Sequence, residues 1–161
     1  AVTVHRPSNT DSRESMAAIL GALGEAGRPV VFPVHPRTRK FLGEYGLLGK
    51  IPGNVILTEP LGYLDMIRLM AHAEKILTDS GGIQKEAYLL GVPCITLREN
   101  TEWVETVESG WNVLVGAKRD RILDAVRHFS PAARQKNLFG EGNASLLIRK
   151  FLGRGLDTRP G

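Results

Sequence analysis

Residues 78–86 read TDSGGIQKE, and they decide the fold. An apolar run, Lys75-Ile76-Leu77, comes before them, and a helix-like run, Ile83 to Leu90, comes after. Two glycines at such a junction have two readings: a tight turn with a helix cap, or a cradle for phosphate. If the strand ends near Thr78, the helix starts at Gly81 or Gly82 and Ser80 caps it. The amides of Gly81, Gly82 and Ile83 are then expected to be unpaired, with the positive end of the helix dipole behind them. The absent side chains let an anion approach closely. Glu86 follows about one turn later, where a carboxylate can accept hydrogen bonds from two neighbouring hydroxyls, as on a ribose. Lys85 comes too late for a Walker A loop, and no Lys-Ser/Thr follows the glycines. Spacing alone leaves both readings open.

The same alternation extends outward along all 161 residues. The expected strands are 1–5, 30–35, 55–58, 75–78, 94–97 and 113–115. The expected helices are 11–25, 37–45, 63–72, 82–90, 102–109, 119–129 and 143–152. Short, uniformly apolar strands separated by helices imply a parallel sheet covered on both faces. Right-handed crossovers then give a doubly wound, Rossmann-like α/β domain over residues 1–152. The Gly- and Pro-containing tail 153–161 reads as a loose, flexible terminus. With no initiator Met and a start inside a strand, the chain reads as a piece of something longer.

In such a sheet, ligands bind beyond the carboxyl ends of the strands. Five strand exits carry polar groups: His5-Arg6, His35, Thr58-Glu59, Asp79 to Gly82, and Arg98 to Glu102. His5 and His35 occupy equivalent strand ends, where an imidazole either touches phosphate, moves a proton, or is simply hydrogen-bonded in place. Met66 either helps form a slot for a flat base or packs in the core. The loop 97–103 either supplies hydroxyl and carboxylate groups or is solvated. Cys94, the one cysteine, lies in an apolar run and reads as a buried structural thiol. A lone cysteine forms no internal disulfide, which suits a reducing cytoplasm. His and Cys show no metal-ligand spacing, so no metal is expected. The net charge of +4 is scattered, arguing against nucleic acid and for small anions. Fourteen of the 21 basic residues are Arg, which suits phosphate or carboxylate recognition. No apolar run nears the roughly 20 residues that span a bilayer, so no membrane association is expected.

Taken in order, VHRPSNTD (4–11), FPVHPRT (32–38), YLDMIRLMAHA (63–73), the long segment from Ile76 to Gly116, and FGEGNAS (139–145) resemble the carboxyl-terminal half of the non-hydrolysing UDP-N-acetylglucosamine 2-epimerases. The resemblance runs from about Val2 to Phe151. It implies one half of a GT-B architecture, in which two Rossmann-like domains face each other across a cleft. It implies interconversion of UDP-GlcNAc and UDP-ManNAc by elimination and re-addition of UDP, without cofactor or metal. It places His5 at the diphosphate or leaving group, Ser80, Gly81 and Gly82 at phosphate oxygens, Glu86 at the ribose and Met66 beside the uracil. Arg6 and His35 match positions that contact an activating second UDP-GlcNAc in bacterial members. The full-length protein is expected to be a cytoplasmic homodimer serving polysaccharide biosynthesis.

The sequence departs from one bacterial branch in three places. Thr101-Glu102-Trp103-Val104 stands where that branch has Thr-Glu-Arg-Pro, Met66 replaces an aromatic, and Gln84-Lys85-Glu86 replaces Gln-Glu-Glu. The family's acid/base carboxylates belong to the amino-terminal domain, so this piece is expected to bind UDP weakly and to be inactive alone. Two competing readings are the donor-binding domain of a GT-B glycosyltransferase and a non-catalytic nucleotide-binding module.

Overall fold

In the computed structural model, which describes residues 1–156, the alternating runs of the sequence become alternating strands and helices. The order is β1 (Val2–Thr3), α1 (Pro7–Thr10), α2 (Arg13–Gly24), β2 (Val30–Pro33), α3 (Pro36–Glu44), a 3-10 turn (Leu48–Lys50) and β3 (Val55–Thr58). It continues with α4 (Tyr63–Ala71), β4 (Ile76–Thr78), α5 (Gly81–Leu90), β5 (Cys94–Thr96), α6 (Val104–Glu108), β6 (Asn112–Leu114), α7 (Arg119–His128) and α8 (Ala144–Leu156). Local chemistry sets the ends. Ser12 caps α2 by accepting from the Ser15 amide, and Gly91, at φ 69°, closes α5 in the left-handed region. The sequence reading missed α1, whose Pro7 sits at the first helical position where its fixed φ suits a helix start.

All strand pairs are parallel. Four strands run in the order β1-β4-β5-β6, and β2 pairs with β3 from Val30↔Val55 to Pro33↔Thr58. β2 lies beside β1 without a ladder between them, so the expected single sheet is divided at that seam. β1 is only two residues long, and its other edge is committed to β4.

Side chains alternate between two layers, as strand geometry requires. Leu77 and Ile95 join a large cluster with Met16, Ile19 and Leu23 of α2, Phe32, Leu42 of α3 and Ile122 of α7. Their neighbours Ile76 and Cys94 join a smaller cluster with Met70 of α4 and Ala87 of α5. Helices therefore cover both faces. Cys94 is 1% exposed, and burial pushes its thiol up to about 12 despite the nearby Thr96 hydroxyl, as befits a structural thiol. Helix α8 carries the chain past residue 152, where the sequence reading placed a boundary; residues 157–161 of the expected tail lie outside the described residues. Among the described residues, no helix is long and apolar enough to cross a membrane.

Candidate functional site

From β1 the winding proceeds one way through β2 and β3 and the other way through β4, β5 and β6. The crevice beyond the carboxyl ends of β1 and β4 is therefore the place for a ligand. A cavity of about 320 Å³ lies there, lined by Thr3, Val4, His5, Pro33, His35, Pro60, Leu61, Met66, Ser80 and Ile83. Another cavity, about 240 Å³, lies at the amino ends of the strands between Leu23, Val31, Leu69 and Val126. Its position is wrong for a switch-point ligand, and Arg28 and Glu74 on its wall pair with each other.

Asp79, at the end of β4, organises the crevice. It is fully buried. Its carboxylate accepts from the His5 amide at 3.1 Å, the Arg6 amide at 3.0 Å and Asn9 Nδ2 at 3.0 Å. His5 Nδ1 lies 3.2 Å from Oδ1. Burial pushes the Asp79 acid up, but these hydrogen bonds outweigh it and hold the carboxyl below its ordinary value. With Nδ1–H donated to Asp79, His5 presents Nε2 to the cavity. His35 takes the opposite tautomer, because its Nδ1 accepts from the Arg37 amide at 3.1 Å and caps α3, leaving the proton on Nε2. The two rings stand 5.7 Å apart.

At the start of α5, Ser80 Oγ accepts from the Ile83 amide at 3.4 Å. This corrects the expectation of three unpaired amides: the cap takes the third. Only the Gly81 and Gly82 amides lack a partner among the described residues. The Ser80 hydroxyl proton is still available to a ligand. Gly81 is buried, and the Glu102 carboxylate would lie 2.0 Å from a Cβ placed there. Glu102 pairs with Arg98 at 2.8 Å and faces Arg6 at 3.7 Å. Two guanidiniums thus stand beside the helix start. The cavity brings together His5, His35, Met66 and Ser80. Gly81 and Gly82 adjoin it through Ser80. Arg6 does not line it; its side chain turns to Glu102. Glu86 stands one turn past Ile83, outside the lining, half-buried, with its acid pushed up by burial. Met66 packs against the smaller cluster, as one of its readings expected, and also lines the cavity.

Sequence reasoning placed Asp79 on the rim but gave it no role. An Asp between an apolar strand and a capping Ser was the available signal. Nothing local marked Asn9 as more than a candidate cap beside Thr10 and Asp11; Ser12 caps α2 instead, and Asn9 Nδ2 bonds both Asp79 and the Leu97 carbonyl. Nor did anything mark the buried chain from Thr101 through Gln84 to Asn112 and Thr106. Among the described residues no cluster of His, Cys, Asp and Glu could hold a metal.

The profile of one protein family, UDP-N-acetylglucosamine 2-epimerase, matches residues 1–153. A UDP-N-acetylglucosamine 2-epimerase homolog of Methanococcus maripaludis is 54% identical over 153 residues, 93% of this chain and 43% of that one. A UDP-2,3-diacetamido-2,3-dideoxy-D-glucuronate 2-epimerase of Pseudomonas aeruginosa is 45% identical over 94% of this chain and 43% of that one. Among solved structures, the Methanocaldococcus jannaschii UDP-GlcNAc 2-epimerase in complex with UDP-GlcNAc and UDP superposes with a TM-score of 0.88 at 41% identity, covering 95% of this chain and 44% of that chain. The chain spans less than half the length of the relatives it matches.

Proposed function

The chain belongs to the UDP-N-acetylglucosamine 2-epimerase family, and we propose that it is the UDP-binding carboxyl-terminal domain of such an enzyme, one half of a GT-B pair. The observation that carries this reading is the start of α5. Two free glycine amides and the Ser80 hydroxyl adjoin a cavity into which Asp79 holds His5. These groups suit a diphosphate: backbone N–H donors, a helix dipole and an oriented imidazole.

In the proposed reaction, a base removes the C2 proton of the sugar. The electron pair forms the C1=C2 bond as the C1–O bond breaks, and UDP leaves with that bond's electrons. Re-addition of UDP to the 2-acetamidoglucal, with protonation on the opposite face of C2, completes the exchange of UDP-GlcNAc and UDP-ManNAc. This domain's share is to hold the leaving diphosphate with Ser80, Gly81 and Gly82. His5 Nε2 acts near the leaving oxygen, Glu86 takes the ribose hydroxyls and Met66 flanks the uracil. Arg6 and His35 would serve a second, activating nucleotide sugar. Among the described residues no carboxylate lines the cavity, and in this reading proton removal falls to an amino-terminal domain that completes the cleft. The complete enzyme would be a cytoplasmic homodimer making polysaccharide precursors.

Calorimetric titration with UDP tests the reading. Glu86→Ala is expected to weaken binding by about 1–3 kcal/mol, the cost of lost charge-assisted hydrogen bonds. Unchanged affinity in a chain that binds UDP removes Glu86 from the site. The 45% identity to the diacetamido-glucuronate 2-epimerase favours a second reading, in which the sugar carries a 3-acetamido group and a carboxylate. Competing the two nucleotide sugars against each other in the complete enzyme separates these substrates.

A further inference from the structure

Trp103 immediately precedes α6 and lies outside the cavity lining. Its indole Nε1 donates to the Gly81 carbonyl at 2.7 Å. Because the peptide bond is planar and trans, the Gly81 C=O and the Gly82 N–H belong to one rigid unit and point in opposite directions. Fixing the carbonyl on the Trp103 side therefore fixes the direction of the Gly82 N–H on the other. A donor on the carbonyl also polarises the peptide and strengthens the N–H as a donor in turn. The need is specific to this position. The Gly81–Gly82 peptide opens α5, so the helix sets its general direction, and the indole adds a second restraint where two consecutive glycines have the widest backbone freedom.

Trp103 is built to act as such an anchor. Its amide donates to Thr101 Oγ1 at 3.0 Å, and its carbonyl accepts from Thr106 Oγ1 at 2.7 Å. Thr101 Oγ1 in turn donates to Gln84 Oε1 of α5 at 2.6 Å, tying the loop to the same helix. The indole meets Phe139 edge-on, with centroids 5.6 Å apart. The Lys85 ammonium lies 4.7 Å from the Trp103 ring and 4.8 Å from that of Phe139. Backbone, ring and hydrogen bond converge on one orientation.

We propose that Trp103 is a positioning residue, whose indole N–H aligns and polarises the Gly81–Gly82 peptide so that the Gly82 amide receives a nucleotide diphosphate. The inference rests on the phosphate reading of α5. Two replacements in the full chain test it: Trp103→Phe, and a benzothiophene isostere of Trp103 in which sulfur replaces the N–H while the bicyclic ring is kept. The readouts are the UDP dissociation constant, the thermal midpoint and the amide proton shift of Gly82 without ligand. The isostere is expected to keep the thermal midpoint, move the Gly82 amide signal and weaken UDP binding about five- to tenfold. An unmoved Gly82 signal in the isostere overturns the inference, as does a dissociation constant equal to that of the unmodified chain. If the unmodified chain itself fails to bind UDP, the phosphate reading falls, and the Gly82 shift alone still decides whether Trp103 positions the peptide.

Discussion

Asp79 shows how one side chain sets the chemistry of a site. A fully buried carboxylate is costly unless its lone pairs are met. Here two backbone amides, an Asn amide and an imidazole meet them, and the acid is held below its ordinary value. The folded-state pKa is therefore below that of the unfolded chain, about 3.9. The unfolded chain binds more protons in that window, so the stabilisation is present above it and is lost as pH falls through the folded value. Asp79→Asn turns an amide donor toward donors that need an acceptor. It is expected to cost about 2–4 kcal/mol at neutral pH and to flatten the decline of stability on acidification. Urea denaturation repeated from neutral to acid pH measures both. Equal slopes in the two proteins would assign the acid sensitivity to another group.

Helix α5 was the most legible element, because its signals are local: Ser80 as cap, two glycines at the start and Gly91 at the end. What covers its first turn was not legible. Glu102 reaches Gly81 from a loop 21 residues further along the chain. A methyl at Gly81 meets the flexible Glu102 side chain first, whereas one at Gly82 has Ser80 Oγ at 3.8 Å as its nearest neighbour. Gly81→Ala is thus expected to leave stability within about 1 kcal/mol, since helix propensity offsets the displaced Glu102. The same change is expected to weaken UDP binding by about 1–3 kcal/mol by crowding the phosphate approach. Thermal melts and calorimetry on the same samples separate the two effects. Parallel losses in both would mean that Gly81 serves packing rather than ligand.

On the scale of the molecule, two helical layers and a parallel array of strands hold the crevice open at the switch between β1 and β4. That crevice carries imidazoles, a hydroxyl and backbone donors, but among the described residues no carboxylate on its walls. A general base must lie within hydrogen-bond reach of the proton it removes. The 161-residue chain alone is therefore expected to show no C2 proton exchange of UDP-GlcNAc in deuterated water. Exchange is expected only in the complete enzyme proposed above. Exchange by the chain alone would assign base catalysis to His5 or His35.

The sequence by itself determined the alternation of strands and helices, the Ser80 cap of α5 and the strand exits where polar groups gather, because periodicity and capping are written within a few neighbouring residues. Tertiary structure decided which of those groups meet. Asp79 and His5 are separated by 74 positions, and Trp103 and Gly81 by 22. The tautomers of His5 and His35, the seam between β1 and β2 and the anchoring of the glycine peptide all follow from such contacts. A local pattern fixes a residue's own backbone state, but a hydrogen-bond partner or a buried charge depends on how distant segments pack.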